Sequence, residues 1–264
     1  MVRLLERSIR SVHERLVLLA PPGADIPTDF KNVLPPSTEH HGRLRELQRL
    51  RGTVYRDDGA LAPADLRAGG IHATPEDSRS WHLVMLNKQR QVSSCVWYME
   101  HENTASWDQL RVRSSPPALR AESSHTVRKA VNTELATARR AQLRFAELGG
   151  WAVCPENRCS TKGLTLALAA YSLGRLFGGA LGLTTATVRH SSAGILRRLG
   201  GTGLQSDGAV VGPYYDPRYN CNMELLRFDS RRPSPRYEGL IDILRDRLAL
   251  AEVLPFELAL PAVA

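Results

Sequence analysis

Apolar positions at helical spacing open the chain: Leu4, Leu5, Ile9, Val12, Leu16, Val17 and Leu19 predict one amphipathic helix over residues 3–19. Pro21, Pro22 and Gly23 end it, and a Pro-rich linker runs on to Pro36. Residues 1–36 therefore read as a helical arm, and 37–264 as the main domain. Leu44, Leu47, Leu50 and Val54 share one face of a second helix, about 39–55, with arginines on the other. A hairpin follows: a strand at 81–86, a polar turn at 87–90, and a returning β-rich run from Val92 to Met99. Residues 103–124 read as loop with a short strand at 109–112. A long helix is predicted over 125–148, stopped by Gly149-Gly150, before a short apolar strand at 151–154. A loop at 155–162 leads into an apolar helix at 163–177. A strand at 182–188, a helix at 191–199, a strand at 219–228 and a terminal helix at 236–252 complete the order. The fold class is α/β (α+β), a mixed central sheet flanked by helices, with the N-terminal arm outside it.

Composition bounds this picture without redirecting it. The 264 residues are 42% hydrophobic and 23% charged, which is globular and suits one large domain or one and a half. The net charge of +8 favours an anionic partner: nucleic acid, a membrane surface, a phosphorylated cofactor or an acidic carrier protein. With 6% aromatics and no Lys/Arg run, no dedicated nucleic-acid motif exists. Cys95, Cys154, Cys159 and Cys221 lack metal-type spacing and read as reduced thiols of a cytoplasmic protein. The first 23 residues carry charge throughout, unlike a signal peptide. Residues 164–188 are apolar but contain Arg175 and several glycines, so no transmembrane span is expected.

The loop before the apolar helix carries the clearest chemistry. Arg158, Cys159, Ser160, Thr161, Lys162 and Gly163 join a strand to a helix N-terminus, where unpaired N–H groups and the helix dipole favour an anion. Arg158 and Lys162 add charge, Ser160 and Thr161 add hydroxyl donors, and Gly163 permits close backbone approach. An ordinary capped helix start, with both cations solvated, satisfies the same residues.

This loop and its place in the element order resemble the GCN5-related N-acetyltransferase (GNAT) fold. The family pattern is Arg/Gln-x-x-Gly-x-Gly/Ala between the fourth strand and third helix, where backbone amides hold the pyrophosphate of a coenzyme A thioester. Arg158 and Gly163 match its ends, while Thr161 replaces the middle glycine. A narrower resemblance runs from about residue 44. Leu50-Arg51-Gly52-Thr53-Val54-Tyr55, Gly149 to Val153, Thr184 to Ser192 and Tyr214 to Asp229 are similar to acyl-homoserine-lactone autoinducer synthases and N-acyl amino acid synthases. Members of that branch carry Gly and Arg in the third strand. Here those places fall near Ser93/Ser94 and Val96/Trp97, so the usual carboxylate-reading Arg is missing.

The resemblance implies a split between the fourth and fifth strands that exposes backbone at 151–154 and 184–187 to a thioester arm. Val153 and Cys154 then join the loop as cofactor-binding candidates, with an N–H near Val153 polarising the carbonyl. Arg51, Tyr55, Trp97, Tyr98, Thr185 and Thr187 become substrate-binding candidates, although Trp97 suits a plain core as well. An activated thioester needs an aligned amine, a base and oxyanion stabilisation. The base candidates are Glu100, His101, Glu156 and His190. Cys154 as nucleophile lacks a His partner in sequence and reads as a packing residue. The family's tyrosine acid is absent from 191–199, leaving Tyr214 or Tyr215 as substitutes. Arginines near 43–51, 128–144 and 197–198 offer a docking face for acidic acyl carrier protein, and the arm offers a tunnel cover or a homodimer contact.

The implied function is an N-acyltransferase moving a long acyl group from acyl carrier protein or acyl-CoA to the amine of an amino acid or related molecule. The co-substrate is an acyl-phosphopantetheine thioester, with no tightly bound cofactor or metal. The alternatives are acylation of a Lys or ornithine side chain in a natural-product peptide and non-catalytic sensing of an acyl ligand.

Overall fold

A computed structural model of the chain describes residues 5, 6, 9, 15–158 and 160–257, with His190 described by its backbone alone. Among the described residues the strands are β1 Arg15–Leu19, β2 Asn32–Val33, β3 Trp81–Leu86, β4 Val92–His101, β5 Arg144–Val153, β6 Ala180–Thr187, β7 Thr202–Gly203, β8 Gln205–Ser206, β9 Ala209–Val210, β10 Tyr214–Asp216, β11 Cys221–Asp229 and β12 Glu252–Leu254. The fully described α-helices are α1 Glu39–Asp57, α2 Pro116–Leu119, α3 Ala121–Arg140, α4 Lys162–Leu176, α5 Ser192–Arg198 and α6 Glu238–Ala249. One mixed sheet runs β10-β11-β6-β5-β4-β3-β1-β12-β2, with β7 beside β11, while β8 and β9 pair separately.

Several elements depart from the sequence reading. Residues 15–19, expected as the end of a helix, are a sheet strand between antiparallel β3 and parallel β12. Leu16 to Leu19 are buried on both faces, and a continuously apolar strand lacks the alternation that would distinguish it from a helix. Residues 3–14 lie largely outside the description, though Leu5 and Ile9 are buried in the core. The long helix ends at Arg140 rather than near 148, because Gln142 takes a left-handed φ of 57° and turns the chain. Residues 144–148 therefore begin β5. The stretch near 109–112, expected as a strand, forms short 3₁₀ turns. β12 follows the terminal helix, which stops at Ala249.

The sheet has two covered faces. Leu47 and Val54 of α1 pack with Cys95 and Ala152, and Val127 and Val131 of α3 pack with Phe145 and Leu183 on the same face. The opposite face buries Val96 and Tyr98 under Leu166, Tyr171 and Leu173 of α4 and Leu240 and Leu244 of α6.

The site follows from where pairing stops. β5 and β6 run parallel from Arg144↔Ala180 to Leu148↔Thr184 and no further. Beyond that point β5 continues along β4 to Val153, and β6 continues along β11 to Thr187. A bulge marks the parting: Trp97 faces Gly149 and Cys95 faces Ala152, leaving two β5 residues opposite one. Gly150 at the bulge has φ 63°. A Cβ there would sit 2.3 Å from the Trp97 ring and 3.0 Å from Arg51 Nη1, so only glycine fits. Gly150→Val should cost about 1–3 kcal/mol through overpacking. Thermal unfolding should show it as a drop of roughly 2–4 °C per kcal/mol, and an unchanged Tm would contradict this view of the bulge.

Candidate functional site

A cavity of about 700 Å³ crosses the sheet at the β5–β6 split. Leu148, Gly149 to Val153 and Thr184 to Thr187 form its walls. On the α4 side it is apolar, bounded by Leu164, Ala167, Tyr171, Ile195 and Phe228. On the α1 side it is polar, bounded by Tyr55, Asp58, His72, Glu76, Arg111 and Tyr219. The alternation of β5 and the Gly150 bulge explain this division. Trp151 turns toward α4, where a Cβ on Gly163 would lie 3.2 Å from its ring, while Ala152 turns toward α1.

The loop before α4 borders the cavity through Asn157, Arg158, Ser160 and Gly163. Ser160 Oγ accepts the N–H of Lys162 at 3.2 Å, so the serine engages the helix start. Thr161 uses its carbonyl for Thr165, accepting from N–H at 2.8 Å and from Oγ1 at 3.0 Å. Arg158 pairs with Asp58 across the cavity mouth at 2.9 Å. Lys162 is buried and outside the cavity lining, and Cys159 lies outside the described residues. Cys154 also lies off the lining. Asn157 Nδ2 donates to its sulfur at 2.6 Å, and burial raises the thiol above its ordinary value. A protonated thiol beside an amide is a poor nucleophile.

Three of the four expected base candidates lie away from the cavity. Glu100 pairs with Arg144, near the closed end of β4 and β5. His101 Nε2 lies 3.0 Å from Glu147 Oε2, in a buried pair. Glu156 sits on the 3₁₀ turn Pro155–Asn157. None of the three lines the cavity. The backbone of His190 lies in the turn Arg189–Ser191, whose first and last residues do line it, and its side chain lies outside the description. Neither proposed tyrosine acid reaches the cavity: Tyr214 is buried under α3, and Tyr215 donates to Asn220 at 2.7 Å.

The substrate candidates divide by strand parity. Trp97, Thr185 and Thr187 line the cavity. Tyr98 points the opposite way from Trp97 and packs against Phe177 in the α4-side core. Tyr55 lines the polar lobe, and its hydroxyl donates to the Trp151 carbonyl at 3.3 Å. Burial raises the Tyr55 phenol well above its ordinary value, so it is a donor. Arg51 is 1% exposed and paired with Asp77 at 2.6 Å. It also donates to the His72 carbonyl at 2.9 Å. Asp77 takes further bonds from Gln48 Nε2 at 2.9 Å and Thr74 N–H at 3.0 Å. Burial works to raise Asp77, but Arg51 outweighs it and holds the carboxyl below the ordinary value. Arg51 thus braces the segment 72–77 against α1.

That segment and the turn at 111–114 supply residues that patterning missed: His72, Glu76 and Arg111. All three fall in stretches without periodicity. Burial, and then the Arg51 charge, push His72 below 6.5, so its imidazole is neutral at neutral pH. Arg111 Nε pairs with Glu76 Oε1 at 3.1 Å, and its guanidinium lies over Trp97, 5.6 Å from the ring centroid.

No family model matches the chain, and no curated protein matches it. Solved structures do. A CoA-dependent acyl-homoserine lactone synthase, BjaI, solved with SAM and isopentyl-CoA, has a TM-score of 0.52 at 16% identity, covering 94% of this chain and 95% of that one. Another CoA-dependent acyl-homoserine lactone synthase, MesI, gives 0.50 at 13% identity over 91% and 98%. The acyl-homoserine lactone synthase LasI gives 0.50 at 14% over 83% and 91%. At such identities the likeness is one of fold: the split mixed sheet flanked by helices is the GNAT-like architecture that the sequence resemblance implied. Among the described residues no helix is long and apolar enough to cross a membrane.

Removing Arg51 would leave Asp77 buried without its cation. Arg51→Met should cost about 3–5 kcal/mol, read by denaturant unfolding at pH 7. Because the folded Asp77 value lies below the ordinary 3.8, the pair's contribution is fully present above 3.8 and is lost as pH falls from there through the lower folded value. The gap between wild type and variant should therefore narrow toward acid pH. A gap independent of pH would contradict this role for Asp77.

Proposed function

We propose that the chain is an N-acyltransferase that moves an acyl group from a phosphopantetheine thioester, on carrier protein or coenzyme A, to the amine of a small molecule such as an amino acid. The observation that carries the reading is one cavity, apolar on one side of the sheet and polar on the other, crossing it where β5 and β6 part. An acyl chain needs the dry lobe, an amine with polar substituents needs the other, and the thioester carbonyl must lie between them. The β5 edge from Gly149 to Val153 has no ladder partner on the β6 side. Its backbone groups suit the amides of a pantetheine arm and a developing oxyanion. Arg158 and the start of α4 lie where the phosphate end of that arm would emerge.

The chemistry asks for three things. The amine nitrogen forms the new C–N bond, the C–S bond breaks, and the thiolate leaves with its electron pair. The proton lost from nitrogen needs a neutral acceptor, and His72 is the cavity-lining imidazole among the described side chains. Its backbone is fixed by an N–H bond to the Gln48 carbonyl at 3.1 Å and by Arg51 on its own carbonyl. Two further features favour an enzyme over a passive binder: the site offers a base beside an apolar pocket, and Tyr55 is held protonated as a donor.

The direct experiment incubates the full chain with acyl-CoA and acyl carrier protein thioesters of graded length and a pool of amino acids and amines. Thiol release and N-acyl products are followed by absorbance and mass spectrometry. N-acyl product equal to thiol released is the expected result, and no product with no thiol release would overturn the proposal. His72→Gln should lower kcat by roughly 10²–10⁴-fold. The acid limb of wild-type kcat/KM should fall below 6.5, because His72 is held under that value. Ala167→Phe should shorten the longest acyl chain accepted, since Ala167 lines the apolar lobe. An unchanged chain-length profile would place the acyl group elsewhere.

A further inference from the structure

Resting on the acyl-transfer reading, we propose that the far end of the apolar lobe is a receptor for a terminal carboxylate, so that the acyl group on the thioester is that of a dicarboxylic acid. Tyr171, Tyr237 and Arg198, all on the cavity lining, carry the inference.

The floor of the lobe lies where the sheet closes below the split. Gly182 pairs with Ala146 on β5 and with Phe228 on β11. Phe228 lies across Gly182, where a Cβ would come within 2.3 Å of its ring. Tyr171 of α4 packs on Phe228, with ring centroids 5.7 Å apart. This row stands about 7 Å below the last β5–β6 pair, two residues at roughly 3.3 Å each. α5 runs from the end of β6 back to the same level, because Thr202, just beyond it, pairs with Arg227 next to Phe228. Ser192, Ile195 and Arg198 recur every three residues on the lining, so they share one face of α5. Ser234 N–H donates to the Leu199 carbonyl at 2.8 Å, which brings the turn holding Tyr237 against the end of α5. The two tyrosines and the arginine therefore meet at one end of the cavity, away from the thioester mouth.

This end offers donors and positive charge without a carboxylate. Tyr171 and Tyr237 are only 3% and 2% exposed, and neither hydroxyl has a hydrogen-bond partner among the described residues. Burial pushes the Tyr171 phenol well above its ordinary value, which keeps it a donor. Arg198 pairs with no acid among the described residues. Glu224 is taken by Arg197 at 2.6 Å, and Glu134 by Arg227 at 3.0 Å. The carboxylates on the lining, Asp58 and Glu76, both stand on the polar side. Arg236 adds a second cation here, 5.8 Å from the centre of the Tyr237 ring. A plain alkyl chain suits the walls of the lobe but not its end, since a methyl group at the floor expels water and leaves a buried hydroxyl unpaired. A terminal ammonium would face Arg198. A terminal carboxylate has acceptor sites for tyrosine hydroxyl and guanidinium together, and such charge-assisted bonds are the stronger kind.

The test reads binding separately from turnover. Non-hydrolysable thioether analogues of octanoyl-CoA and of its ω-hydroxy and ω-carboxy forms are titrated into the full chain by calorimetry, with the hexanoyl and decanoyl series alongside. At the best-fitting length the ω-carboxy form should bind about 10-fold or more tightly than the parent, with the ω-hydroxy form between them. Tyr171→Phe, which keeps the ring, should remove the advantage of the ω-hydroxy form. Arg198→Met, at an exposed position, should bring the ω-carboxy form down to the level of the ω-hydroxy form. With the true thioesters and the amine pool, kcat/KM should follow the same order. Equal affinity for parent and ω-carboxy forms at every length would overturn the proposal and leave the acyl-transfer reading in place, as would an advantage that both variants retain. No binding of any analogue, together with no thiol release, would overturn that reading and this proposal with it.

Discussion

Two parallel strands that cease to pair midway leave two rows of backbone N–H and C=O groups facing a gap. Such groups are costly when buried and unpaired, so a protein tolerates the gap only where water or a ligand can fill it. Here the ladder between β5 and β6 stops at Leu148↔Thr184 while each strand remains anchored on its far side. The Gly149-Gly150 bulge makes the parting sterically possible, because Trp97 occupies the space that a side chain at either position would need. Everything assigned to the site depends on this opening. It lets one cavity reach both faces of the sheet, and it puts strand backbone beside the loop that starts α4.

The polar lobe shows how a mostly irregular segment is given definite geometry. Residues 72–77 belong to no long element, yet Arg51 on α1 ties Asp77 and the His72 carbonyl to a helix packed on the sheet. The turn that bears Arg111 is tied in the same manner by Glu147 on β5. In both cases a buried charge with several hydrogen bonds fixes backbone, and an adjacent residue faces the cavity. His101 and Arg51 thereby acquire positioning roles, while His72, Glu76 and Arg111 meet the space where chemistry would occur.

Much of the architecture was legible in the residues. The hairpin at 81–99, helix α1, the loop at 155–161 and helix α4 follow from periodicity and from Gly, Pro and capping residues, and all form close to where these signals put them. Two of the errors have local causes. β1 is buried on both faces, so its apolar run carries no alternation, and the first half of β5, with Arg144 exposed and Phe145, Ala146 and Glu147 all buried, carries none either, so both read as parts of neighbouring helices. Within the site, Gly163, Trp97, Thr185 and Thr187 were readable as cavity-lining positions because they sit on regular elements next to the split, and Arg158 because it stands in the loop that joins β5 to α4. Tyr98 was misjudged by one step of strand parity. His72, Glu76 and Arg111 carried no signal, because only tertiary contacts from Arg51 and Glu147 bring their segments to the cavity.

The central claim is that the β5–β6 opening holds an acyl thioester with its carbonyl between the two lobes. A crystal structure with a non-hydrolysable acyl-CoA thioether tests it most directly. The acyl chain should lie against Ala167 and Tyr171, the pantetheine amides should bond to backbone between Gly149 and Val153, and the phosphates should sit near Arg158. A ligand seated outside the split, or β5 and β6 paired through Val153 with no room between them, would contradict it.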